Sequence, residues 1–246
     1  MHEVLKGLAG TGKVLGVVPI GSGNDFARML GLLGLPWPKA LELALHAPEE
    51  AVDLGWVNGE PFGASLGIGF DALVAKKALS APPFLRGMPR YLYALFAVLK
   101  ELSLPEARVL VDGEEVHRGR MLLLAAMNGP MYGGGIPIAP MADPGDGRLS
   151  VVLAGEFSRT GVVLILPRLL LGRHLSHPRV RAYAGQEVAV EFAHPVPAHA
   201  VPPPAGGGLW PGAPLSGPEA GLGGLGGGGG RAGARAGGLV PEPAGT

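Results

Sequence analysis

The chain has no cysteine among its 246 residues. Disulfides, thiolate nucleophiles and cysteine-ligated zinc are therefore excluded together. The absence also fits a reducing compartment. Net charge is absent too, because 20 basic residues balance 20 acidic ones. No basic stripe interleaved with aromatics occurs, so no nucleic-acid partner is expected. Long hydrophobic runs are missing. Met1 to Gly10 holds no apolar run long enough for a signal peptide. The most apolar later stretch, Val162 to Leu171, is too short for a bilayer and contains Pro167 and Arg168. It reads as a core helix or strand. No transmembrane segment is expected. The protein should be soluble and cytoplasmic, with membrane contact only peripheral, at the inner face.

What is present begins with Val14 to Ile20, an apolar run that reads as a buried strand. Gly21, Ser22 and Gly23 follow as a turn, and Asn24-Asp25 opens a helical pattern over Asp25 to Leu33. Strand, glycine turn and helix start together suit an anion: small residues let a ligand approach the backbone, and first-turn N–H groups point at it. The plainer alternative is a tight turn with Asn24 or Asp25 as helix cap. Glu3 to Ala9 reads as a helix, and a further helix begins at Pro38 with Leu41 and Leu45 on one face. This is the wording of an α/β unit.

After about Glu50 the texture changes. Val52 to Val57, Asn58-Gly59 and Phe62 to Ile68 read as strand, hairpin turn and strand. Val109 to Val111, Asp112-Gly113 and Val116 repeat the pattern. Met121–Met127, Leu149–Leu153 and Glu187–Phe192 add strands, and Arg90–Leu102 is the main helix, with Leu92, Leu95, Phe96 and Leu99 as its stripe. A β-rich domain is expected over residues 51–200, after an α/β portion over 1–50. From Val201 to Thr246 the chain lacks Lys, Asp, Ile, Phe, Tyr and Met. Such a tail is expected to be disordered. An out-of-frame read of a GC-rich gene gives the same mixture.

The segment Pro19-Ile20-Gly21-Ser22-Gly23-Asn24-Asp25-Phe26-Ala27-Arg28 resembles a signature of the bacterial diacylglycerol kinase and lipid kinase family, Pro-Leu-Gly-Thr-x-Asn-Asp-Phe-Ala-Arg. Ser22 replaces the Thr and keeps the hydroxyl. The likeness runs on through Asp53-Leu54-Gly55, Gly67-Ile68-Gly69-Phe70-Asp71-Ala72, Gly87 to Tyr91, Asn128, Gly133-Gly134-Gly135, Pro140 to Gly147 and Gly172-Arg173-His174. It covers roughly Glu3 to Ala200. It implies a NAD kinase-like α/β nucleotide domain followed by a β-sandwich, with the substrate entering between them. It also implies transfer of phosphate from Mg-ATP to a lipid hydroxyl, commonly that of diacylglycerol.

Residue by residue, the resemblance gives Gly21, Ser22, Gly23 and Asn24 to the nucleotide phosphates and Asp25 to catalysis beside Mg²⁺. A second cation is implied in the loop Asp143-Pro144-Gly145-Asp146-Gly147-Arg148. Asp146 would bind it by its side chain, and Asp143 and Arg148 through main-chain oxygens. The plainer reading of that loop is an Asp-Gly turn. The Gly133–Gly135 run could admit a ligand or merely connect strands. His46, His117, His174 and His177 show no metal spacing and read as satisfied surface or loop residues.

Two family pieces are not matched. A Gly-Gly-Asp-Gly-Thr loop would precede the helix at His2–Leu8. An Asp-Gly-Glu, whose Glu is the proposed base, would follow Pro195–Ala200, where Val201-Pro202-Pro203-Pro204 stands. Asp112-Gly113-Glu114 is no substitute, because it lies at a hairpin turn. Little or no turnover is therefore expected of the 246 residues alone. The rival readings are a NAD kinase-like enzyme with a soluble substrate and a non-catalytic nucleotide- or lipid-binding module. A homodimer is left open.

Overall fold

The computed structural model describes residues 2–21, 23–86, 88–194, 196–201, 220–222 and 232–235. The first part carries α1 (His2–Leu8), β1 (Val14–Gly16), α2 (Asp25–Met29), α3 (Trp37–His46) and β2 (Glu50–Val52). β1 is shorter than the apolar run. Pro19 has no N–H to give a ladder, and Ile20 is 84% exposed. α2 ends at Met29, four residues before the expected Leu33, because Gly31 turns left-handed at φ 71°. α3 turns Ala40 inward and leaves Leu41 and Leu45 exposed, against the expected stripe. Leu5, Val17, Phe26, Ala27, Val52, Leu54 and Ala64 form one core cluster. The packing of this part therefore runs past residue 50.

Two tight hairpins follow the sequence signals. β3 (Gly55–Val57) and β4 (Glu60–Phe62) are joined by Asn58-Gly59, at φ 50° and 81°. β6 (Glu106–Val111) and β7 (Glu114–Arg120) are joined by Asp112-Gly113, at φ 50° and 82°. Paired positive φ values match the right-handed twist of the flanking strands. Asp112 also accepts the amides of Gln186 and Glu187, each at 2.8 Å, so it is a turn residue and not a base.

Between these hairpins lie β5 (Ser65–Gly69), α4 (Phe70–Leu79) and α5 (Met88–Leu99). After them come β8 (Leu123–Met127), β9 (Leu149–Ala154), α6 (Arg159–Leu170), β10 (Val180–Gly185), β11 (Val188–Phe192) and β12 (Ala198–Val201). β10-β9-β8-β5-β12 form a five-stranded antiparallel sheet. Its two faces feed two cores. Leu124, Ala126, Val151 and Leu153 face the second sheet, meeting Val109, Val111, Val188 and Val190. Ala125, Met127, Val152 and Ala154 face the helices, meeting Phe70, Val74, Ala94, Leu99 and Val162. Side chains alternate along a strand, so one sheet serves a sandwich and a helical layer at once. On α5 the expected stripe faces inward at Leu92, Leu95 and Leu99, but Phe96 is exposed.

Two short pieces of the tail pair as strands. β13 (Ala220–Leu222) pairs with β11, completing the order β13-β11-β6-β7. β14 (Ala232–Arg235) lies between β1 and β2. Backbone pairing needs no apolar burial, and open strand edges supply its partners. The rest of the 202–246 segment, and with it that part of the expected disorder, lies outside the described residues.

Candidate functional site

The glycine turn after β1 is closed from within. Asn24 sits in the left-handed region at φ 54°, which asparagine tolerates better than most residues. Its Oδ1 accepts the Gly21 amide at 2.9 Å, and its Nδ2 donates to the Gly21 carbonyl at 2.7 Å. The side chain thus holds the turn rather than capping α2. It also engages the Gly21 amide, one of the groups expected to meet a phosphate. Ser22 lies outside the described residues; Gly23 is half-buried beside Asp25. Asn24→Ala should lower stability by about 1–2 kcal/mol, since it removes both bonds and keeps a Cβ in a left-handed site. Asn24→Gly should cost less. Thermal unfolding of the two variants checks the order.

Asp25 opens α2 and is buried. Both its carboxylate oxygens face the amide of Gly134, at 3.2 and 3.3 Å. Arg28, one turn on, places Nε 3.9 Å from Oδ1 and donates Nη2 to the Gly134 carbonyl. Burial pushes the Asp25 carboxyl above its ordinary value, against the pull of the Gly134 amide and the Arg28 charge. The Arg28 Nε is buried and has no hydrogen-bond partner. A side chain at 135 would be strained, with φ at 109° and a Cβ 3.2 Å from the Arg28 guanidinium carbon.

The turn carrying Gly134 leads directly into a cavity of about 130 Å³. α4, α5, α6 and the five-stranded sheet wall it, through residues such as Val74, Leu95, Val152 and Leu166. Its polar spot is Asp71, in the first turn of α4. Tyr132 donates its hydroxyl to Asp71 Oδ2 at 3.0 Å, while Oδ1 is buried without a partner. Desolvation raises the Asp71 carboxyl to about 7, although Tyr132 and the helix-start amides oppose it. His174, expected as a satisfied surface or loop residue, is buried in this wall, with Nε2 2.8 Å from the Ile138 carbonyl. Burial lowers its pKa.

The loop 143–148 is built from two Asx turns. Asp143 accepts the Gly145 amide at 3.0 Å, and Asp146 accepts the Arg148 amide at 2.9 Å. Arg148 reaches the Ala184 carbonyl. Asp53, which is buried, takes the Gly147 amide at 2.6 Å and donates its own amide to the Pro144 carbonyl. Asn128, fully buried, donates to the carbonyls of Asp53 and Gly63. The loop is thereby tied, through Asp53 and Asn128, to the backbone at Gly63. Among the described residues no three His, Cys, Asp or Glu side chains gather as a metal cluster. A cation here would need one carboxylate and backbone carbonyls.

Residues 1–57 match the diacylglycerol kinase catalytic domain, and residues 64–209 match the YegS C-terminal NAD kinase beta sandwich-like domain. A diacylglycerol kinase of Mycobacterium tuberculosis is 33% identical over 214 residues, covering 80% of this chain and 69% of that protein. The chain belongs to the bacterial diacylglycerol and lipid kinase family. A probable lipid kinase YegS-like protein of Chromohalobacter salexigens is also 33% identical, over 64% of this chain and 51% of its own length. The crystal structure of a diacylglycerol kinase from Bacillus anthracis superposes with a TM-score of 0.59 at 17% identity, over 91% of this chain and 66% of that one. At that identity the likeness speaks for the fold. Family membership makes this a phosphotransferase chain, with ATP as the phosphate donor. Sequence reasoning placed Asp25 but gave Asp71 and Tyr132 no role. Asp71 stood in the quoted Gly-Phe-Asp-Ala segment, where an acid just after an all-buried strand was the available signal.

Proposed function

We propose that this chain transfers the γ-phosphate of ATP to the hydroxyl of diacylglycerol at a membrane surface. The observation that carries this is the adjacency of Asp25 and the apolar cavity: Gly133 lines the cavity and the next residue, Gly134, gives its amide to Asp25. At about 130 Å³ the cavity can take the end of one acyl chain while the lipid head lies toward Asp25. At the start of α2, the backbone amides of Gly23 and Asn24 offer donors to phosphate. These residues fit a nucleotide's anionic end. When bound, Mg²⁺ would neutralise phosphate charge, and the buried Asp25 carboxylate is the oxygen ligand suited to it. The 143–148 loop, with Asp146 and the carbonyls of Asp143 and Arg148, fits a second, structural cation. Asp53 fixes its position.

The membrane contact is proposed for the helical face around the cavity. Phe84 and Leu164 are 80% and 76% exposed there, and Leu79 and Leu171 are also exposed. The segment 72–100 carries Lys76, Lys77, Arg86, Arg90 and Lys100 with no acid. The segment 157–186 carries Arg159, Arg168, Arg173, Arg179 and Arg181, again with no acid. In a chain of zero net charge these two segments, which contribute α4, α5 and α6 to the cavity wall, are rich in cations. They complement an anionic lipid surface. No helix among the described residues is long and apolar enough to cross a membrane.

The test is transfer of labelled phosphate from ATP to diacylglycerol in mixed vesicles, with and without phosphatidylglycerol. Mg²⁺-dependent phosphatidic acid that rises with anionic lipid and falls with salt is expected, at a low rate, because the family's Gly-Gly-Asp-Gly-Thr loop and Asp-Gly-Glu base are not matched in these 246 residues. Nucleotide binding without any phosphatidic acid would favour the non-catalytic module.

A further inference from the structure

We propose that Tyr132 is a positioning residue that couples the filling of the apolar cavity to the carboxylate of Asp25. The inference rests on the lipid-kinase reading for its ligand. It begins from one short turn with two different ends. Tyr132 and Ile136 form the base of the turn: Tyr132 N donates to the Ile136 carbonyl at 3.1 Å, and Ile136 N donates to the Tyr132 carbonyl at 2.8 Å. Both side chains line the cavity. At the tip, the Gly134 amide faces both oxygens of Asp25, and the Gly134 carbonyl accepts from Arg28.

Between base and tip stand three glycines at φ 63°, 82° and 109°. They carry no side chains that could anchor the tip by packing. Its place is therefore set by the base and by its hold on Asp25 and Arg28. The base is fixed in turn by the bond from the Tyr132 hydroxyl to Asp71 Oδ2. A lipid chain entering the cavity must pack on Tyr132 and Ile136. A ligand hydroxyl finds the partnerless Asp71 Oδ1 beside them. Either contact restrains Tyr132, and restraint at Tyr132 is restraint at Gly134. Asp25 depends on that amide, because it is among the few groups opposing the cost of burying its charge.

Hydrogen–deuterium exchange on the full chain without nucleotide tests this, with 1,2-dioctanoylglycerol as the probe. In the wild type, the probe should slow exchange in α4 and α5, which wall the cavity, and also at residues 133–135. One hydrogen bond's worth of restraint corresponds to about three- to tenfold at the turn. Tyr132→Phe, with a melting temperature like the wild type, should keep the protection of α4 and α5 and lose it at 133–135. Asp71→Leu, which removes the hydroxyl's acceptor, should do the same. Asp71→Asn, which keeps an acceptor, should respond as the wild type does. If Tyr132→Phe does not fold, the two Asp71 variants decide. Unchanged exchange at 133–135 while α4 and α5 are protected overturns the proposal. So does a wild-type response in Tyr132→Phe or Asp71→Leu, or no protection anywhere. Phosphatidic acid formation by the same wild-type preparation separates the two ideas. Turnover without coupling at the turn sinks this inference alone, and coupling without turnover sinks the kinase reading alone.

Discussion

Asp25→Asn should slow phosphate transfer to diacylglycerol by about 10²–10³-fold, the usual cost of removing one group that stabilises charge in the transition state. Its melting temperature should stay close to the wild type. The two halves of this expectation have one cause. Asparagine fits the first position of α2 and keeps an oxygen for the Gly134 amide, so the geometry survives. What goes is a negative charge that burial already disfavours, as the upward shift of the Asp25 carboxyl shows. The folded state therefore loses little when the charge is removed. A site that needs that charge for Mg²⁺ and phosphate loses much. Turnover numbers and thermal midpoints for both proteins give the answer. Turnover within about threefold of the wild type would make Asp25 only the first residue of its helix.

The parts of the fold legible in the sequence were those fixed by local chemistry. Asn58-Gly59 and Asp112-Gly113 named their hairpins, because few other pairs accept two consecutive positive φ values. The apolar runs of β8 and β9 named strands buried on both faces. Two helices were missed or left undecided. α4 follows β5 without a break through Gly69, at φ 95°, so no polar cap marks its start. α6 reads equally as strand, being rich in β-branched residues at Val162, Val163 and Ile165. At the site, Asp25 was visible because it stands in a compact motif. Its partner Gly134 was not, because 109 residues separate them and only packing brings them together. The same holds for Asp53 and Asn128, which are 75 residues apart. Asp71 was quoted as part of a motif, yet nothing local says that its carboxylate would be left beside a cavity.

Asp71→Asn should stabilise the protein at pH 8 and do almost nothing at pH 4. Burial raises the Asp71 carboxyl from 3.8 to about 7 in the folded protein. Between those values the native state holds a proton that the unfolded chain has released. Stability of the wild type must then fall as pH rises through that window, because the unfolded state binds fewer protons. Below it, Asp71 is neutral in both states and asparagine offers no advantage. Above it, the wild type carries a buried charge whose Oδ1 has no partner, and asparagine removes that burden. A shift of about three pH units at about 1.4 kcal/mol each caps the gain at about 4 kcal/mol. For a chain of this size that is on the order of 10 °C in melting temperature. Asparagine still offers the Tyr132 hydroxyl an acceptor, so the turn at 133–135 is not disturbed by the exchange. Thermal unfolding of both proteins at intervals from pH 4 to 8 tests the sign. A difference that stays flat across the range would place the Asp71 carboxylate in contact with water and not in the cavity wall.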